Sequence, residues 1–92
     1  MNRAELEKQY FELGNRLPKQ YPNKNLDNHC YWRIALDNAV QDYWKNQIKS
    51  PAYKNLSDNQ IDRVVELLNN YATDEELLTI HNENSLRWRG KL

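Results

Sequence analysis

The chain of 92 residues contains one cysteine, two glycines, three prolines and one phenylalanine, and each scarcity excludes something. With Cys30 alone, no intramolecular disulfide can form and no thiolate-rich zinc site can be assembled. So few glycines and prolines cannot punctuate the many turns of a β-sandwich, and composition therefore leans towards helix. No apolar run approaches the length of a bilayer span, and the charged stretch from Met1 to Gln9 holds no signal-peptide core. Net charge is lacking too, since 13 basic residues meet 13 acidic ones. They are evenly spread, five against four over residues 1–30 and three against four over residues 71–92. No global field exists to gather phosphates, which argues against a general nucleic-acid binder. The expectation is a cytoplasmic protein of a reducing compartment, without membrane association.

What is present suits one folded domain over residues 1–92. Hydrophobic residues make up 39% and charged residues 28%, too apolar for disorder and without repeats. At this length a modest core can form without staples. Leu6, Tyr10, Leu13 and Leu17 form one stripe at helical period, predicting a helix over 3–16 that Pro18 stops. Residues 17–28, with two prolines and four asparagines or aspartates, predict a loop pinned by Tyr21 and Leu26, with Asp27 or Asn28 capping the next helix.

Residues 29–48 predict a long central helix, apolar on two sides. Trp32, Leu36, Ala39 and Tyr43 share one face, while Cys30, Ile34 and Ile48 lie towards the other. Ser50-Pro51 ends it, and Tyr53 and Leu56 anchor a short connector. Ser57 to Gln60 has capping-box spacing and opens a third helix, with Ile61, Val64, Val65, Leu68 and Tyr71 as its stripe. Thr73 to Glu76 reads as a second capping box. It opens a fourth helix with Leu77, Ile80, His81 and Trp88 on one face and Gly90 as its stop. The fold expected is all-α, a compact bundle of about four helices around the central one.

Chemistry concentrates in His29-Cys30-Tyr31-Trp32-Arg33-Ile34-Ala35-Leu36-Asp37-Asn38. His29, Arg33 and Asp37 follow each other at i, i+4 and i+8, with Trp44 on the same flank. Together they could wall a ligand pocket with a base, a cationic fork, a carboxylate and an aromatic lid. The plainer reading is an Arg33–Asp37 ion pair on a solvated helix face. Cys30 beside a helix start could be a nucleophile with His29 or His81 as its base, although His29 projects about 100° away on a helix and is badly placed, and His81 needs tertiary proximity. A lone thiol is more often a small buried apolar group. Two histidines and one cysteine without paired spacing give no metal site, and no motif calls for a cofactor. Arg87, Trp88 and Arg89 form a basic, aromatic end suited to a partner's acidic patch, or else to closing the core and the helix dipole. Three tryptophans and six tyrosines exceed what so small a core can bury, so some are expected at a binding surface.

The run at 29–38, followed by Trp44, Pro51-Ala-Tyr-Lys-Asn-Leu56 and Gln60, resembles a small uncharacterised bacterial family whose members sometimes carry an acetyltransferase-like label. The resemblance covers residues 29–61 and implies no catalytic residues for this chain. The label itself implies a mixed sheet and a glycine-rich pyrophosphate loop, whereas Gly14 and Gly90 are isolated.

Three functions follow as expectations. The first is a non-catalytic helical module that binds a protein partner or a second copy of itself through aromatics of the second and fourth helices. The second is a ligand-binding or enzymatic domain built on the His29, Arg33 and Asp37 flank. The third is a helix-turn-helix-like pair over 58–71 and 74–88, opposed by Asp74, Glu75 and Glu76 where that motif approaches phosphates.

Overall fold

Stripes of apolar side chains at helical period decide which surfaces meet. In the computed structural model, which describes residues 2–92, they assemble five α-helices: α1 (Arg3–Gln20), α2 (Asn28–Val40), α3 (Ala52–Asn55), α4 (Asp58–Thr73) and α5 (Glu75–Trp88). Short 3-10 turns at Pro22–Lys24 and Trp44–Asn46 complete the elements, and no strand occurs among the described residues. The all-α bundle is therefore as expected. Helix α2 lies centrally and contacts α1, α4 and α5.

Helix α4 is the best specified element. Ile61, Val64, Val65, Leu68 and Tyr71 are all buried, joined by Leu67. Its start is a full capping box: Ser57 Oγ accepts from Gln60 N at 3.1 Å, and Gln60 Oε1 accepts from Ser57 N at 2.8 Å. Helix α1 packs against it, with Leu6, Tyr10, Leu13 and Leu17 all buried. This helix does not stop before Pro18, as expected, but runs through it to Gln20. Proline removes one backbone donor. Burial of Leu17 and tertiary anchors beyond the proline offset that loss: Gln20 donates to Ala72 O, and Tyr21 Oη donates to Tyr71 O at 2.6 Å.

One expectation about α2 is corrected. The long helix over 29–48 ends at Val40. Gln41 takes the left-handed conformation at φ 57°, and Asp42 N bonds back to Asp37 O at 3.1 Å, the wide closure of a Schellman motif without glycine. No glycine or proline forces this stop. Side chains do: Asp37 Oδ1 accepts from Trp44 N at 3.0 Å, and Asp42 Oδ1 accepts from Tyr43 N at 2.7 Å, so local carboxylates take amides that a longer helix would have used. Leu36 remains buried and Trp32 and Tyr43 half-buried, so the face they define still turns inward.

Helix α5 is likewise capped by Asp74, whose Oδ1 accepts from Leu77 N at 2.9 Å, and not by the Thr73 box. Its inner face is also different. Leu78 and Ser85 are its buried residues, whereas Ile80 is 48% and Trp88 37% exposed. At its end Gly90, at φ 72°, allows Lys91 N to reach Leu86 O at 2.8 Å, so glycine does stop this helix.

Candidate functional site

Leu78, Asn82, Ser85 and Arg89 recur at i, i+4, i+7 and i+11, a stripe with one apolar member. It meets Arg33, Asp37 and Asn38 of α2 in a polar seam. Arg33 donates to Ser85 Oγ at 2.8 Å and to Asn82 Oδ1 at 2.9 Å. Ser85 Oγ in turn donates to Asp37 Oδ2 at 2.6 Å. Arg89 reaches the same carboxylate from beyond the helix end, with Nε 2.7 Å from Oδ2 and Nη2 3.3 Å from Oδ1. Its guanidinium lies 4.2 Å from the centre of the Tyr43 ring. Asn38 Nδ2 donates to Ile34 O and His81 O at 2.8 and 2.9 Å.

This geometry corrects two expectations. Arg33 and Asp37 are not an i,i+4 ion pair; the cation paired with Asp37 is Arg89. Asp37 has no exposed surface and cannot touch a ligand in this fold. Arg89 is committed inward, so of the three C-terminal residues only Arg87 and Trp88 are left exposed.

Above the seam lies an open cleft of about 580 Å³ between α1, α2 and the 41–53 connection. Three of the four expected ligand-site residues, His29, Arg33 and Trp44, line it together with Cys30, Lys45 and Arg89. Leu36 and Ala52, both buried, lie at its base. Its wall is an aromatic cluster that sequence reasoning did not assemble. Tyr10 and Trp32 stack at 5.4 Å with rings 2° apart. Phe11 meets Trp32 edge-on at 5.6 Å and Tyr53 at 4.8 Å, and His29 meets Trp32 at 5.5 Å. Phe11 and Tyr53 were missed because they sit on other elements, where spacing along the chain carries no signal. Trp32 Nε1 donates to Tyr10 O at 2.9 Å, crossing α1 where Gly14 leaves room.

Cations outnumber carboxylates among the residues lining the cleft. Asp27 is the single carboxylate among the residues lining it, and it is engaged as the cap of α2. Its oxygen accepts from Cys30 N at 3.0 Å, which holds its pKa below the usual carboxylate value. No group of three or more His, Cys, Asp or Glu side chains among the described residues is placed to hold a metal ion.

His81 does not converge on this cleft. It packs edge-on against Tyr71 at 5.5 Å, with Nδ1 2.7 Å from the Tyr71 hydroxyl. Burial raises the Tyr71 pKa, so its hydroxyl stays protonated and shares one hydrogen bond with the imidazole. Burial, and secondarily Arg63, lowers the His81 pKa from 6.5. The unfolded chain therefore takes up a proton that the folded one resists, and stability present above pH 6.5 is lost as pH falls through that value towards the lowered one. Urea midpoints are expected to drop between about pH 7.5 and pH 5. His81→Gln, which keeps a hydrogen-bonding partner for Tyr71, is expected to shrink the drop; an equal drop in the variant would refute this account.

Set against protein-family models, curated proteins and solved structures, the chain matches none. No helix is long and apolar enough to cross a membrane among the described residues.

Proposed function

We propose that this protein is a non-catalytic interaction module that receives a segment of a partner protein in the aromatic cleft. The observation that carries the reading is the gathering of half-exposed Phe11, Trp32, Trp44 and Tyr53 along one open concavity. Aromatic side chains with apolar bodies and polar tips anchor partners at low entropy cost, and interface cores are enriched in them. The cleft is open to solvent, which suits a chain segment better than an enclosed metabolite. Asp37, the fully buried carboxylate of the neighbouring seam, has its oxygens taken by structural donors and is closed off from the cleft. The proposal includes a cytoplasmic location, supported by the free, half-buried Cys30.

Two other readings draw less support. Acetyl transfer of the common kind rests on a sheet and a glycine loop, whereas here Gly14 makes room for Trp32 and Gly90 ends α5. Duplex binding through α4 and α5 would bring exposed Asp74, Glu75 and Glu76 to the phosphates.

The test is selection of a random linear peptide library on the folded protein, followed by titration of the enriched peptides into 15N-labelled protein. Peptides should shift cleft resonances, and Trp44→Ala and Tyr53→Ala should each weaken them about tenfold or more, as interface aromatics do. Enrichment that is indifferent to both substitutions, or none at all, would overturn the reading.

A further inference from the structure

Resting on that reading, we infer that the segment taken by the cleft is acidic: an aromatic or branched apolar anchor flanked by aspartate or glutamate, with Arg33 holding a carboxylate.

Charge complementarity within an apolar wall favours an acidic occupant. Three cations line the cleft, and only one of them is answered by an anion. Arg89 is paired with Asp37 at 2.7 Å. Arg33 meets only neutral oxygens, Ser85 Oγ and Asn82 Oδ1. Lys45 lies over the Trp44 ring at 5.7 Å. Neither Arg33 nor Lys45 forms an ion pair among the described residues.

Arg33 is half-buried. The attraction of a guanidinium in that position for an incoming carboxylate is screened less than on an open surface. Two of the five N–H donors that a guanidinium offers are spent on the seam, which fixes the side chain's orientation before any partner arrives. The rest remain on a residue that lines the cleft. Preorganisation of this kind reduces what binding must spend on ordering. The neighbouring rings of Phe11, Trp32 and Tyr53 supply the apolar contact for an anchor, and the unanswered cations repel basic segments.

The experiment reads the chemistry of the peptides enriched from an unbiased library of linear 12-residue sequences on the wild-type protein and on Arg33→Gln. Enrichment of Asp or Glu beside an aromatic or branched apolar residue is expected. The affinity of those peptides should fall about tenfold on Arg33→Gln, as expected for loss of a charge-assisted contact, and should weaken as salt is raised. Lys45 is exposed and outside the α2–α5 seam, so Lys45→Gln keeps the test open should Arg33→Gln unfold; a loss of about threefold is expected for a rim charge. Cleft-dependent peptides without acidic preference, or with basic residues, would overturn the inference and leave the interaction module standing. No cleft-dependent peptide at all would overturn both. Self-association of the wild type that Trp44→Ala abolishes would overturn the inference in favour of a second copy as the occupant.

Discussion

Asp37→Ala is expected to destabilise the fold by about 3–5 kcal/mol, the scale for breaking a buried ion pair by removing one partner. The carboxylate has no exposed surface and accepts from Ser85 Oγ, Arg89 Nε and the Trp44 backbone N–H. Its loss strands three donors at once, and Arg89, whose side chain is only 19% exposed, is left as an unmatched charge. A small domain typically has about 5–15 kcal/mol in all, so the variant should be marginal. Asp37→Asn keeps the shape and loses the charge, and should fall between. Arg89→Ala strands the carboxylate instead and should also be severe. The double variant Asp37→Ala/Arg89→Ala should cost less than the sum of the two, because the second change removes the charge that the first one stranded. Urea unfolding of the four proteins checks this. Additive costs, or a cost below about 1 kcal/mol for Asp37→Ala, would reject the seam as the tie between α2 and α5.

The same carboxylate explains where sequence reasoning lost the chain. The stripes of α1 and α4 were legible because apolar burial is periodic, and Ser57 with Gln60 announced its cap through local chemistry alone. The end of α2 was not legible, because its cause is a side chain of the helix reaching forward to Trp44 N, a tertiary choice against no local breaker. Helix α5 misled for a related reason. Its inward stripe is Leu78, Asn82, Ser85 and Arg89, and a search for apolar periodicity prefers Leu77, Ile80 and Trp88, which the fold leaves partly exposed.

The candidate site was half visible. His29, Arg33 and Trp44 were singled out and line one cleft, although Trp44 arrives there from a 3-10 turn and not from the helix expected to carry it. Asp37 was noticed for the right chemistry and given the wrong place, since a carboxylate on a helix flank carries no mark of being buried. Phe11 and Tyr53 could not be found by spacing, because only the packing of α1 against α2 and the 51–56 segment brings them to Trp32.

Gly14 offers the sharpest contrast between local propensity and packing. In the interior of an exposed helix, glycine to alanine gains about 1 kcal/mol, and the sequence alone recommends the change. In this fold a Cβ at position 14 would lie 2.0 Å from Trp32 Nε1 and 2.2 Å from Cε2. The indole cannot stay where it is. Moving it breaks the 2.9 Å bond to Tyr10 O and the stack on Tyr10, and removes the edge contact with Phe11. Gly14→Ala is therefore expected to lose about 2 kcal/mol net, from overpacking and a lost buried hydrogen bond less the helical gain. The cleft wall moves with it, so peptide binding should weaken even in the molecules that remain folded. Of the three tryptophan indole N–H resonances, the one from Trp32 should shift towards its solvent-exposed position. In a Trp32→Leu background the obstruction is gone, and the same glycine change should become neutral or stabilising. A gain in stability for Gly14→Ala in the wild type would mean that Trp32 does not cross α1 at this point, and the aromatic wall of the cleft would have to be redrawn.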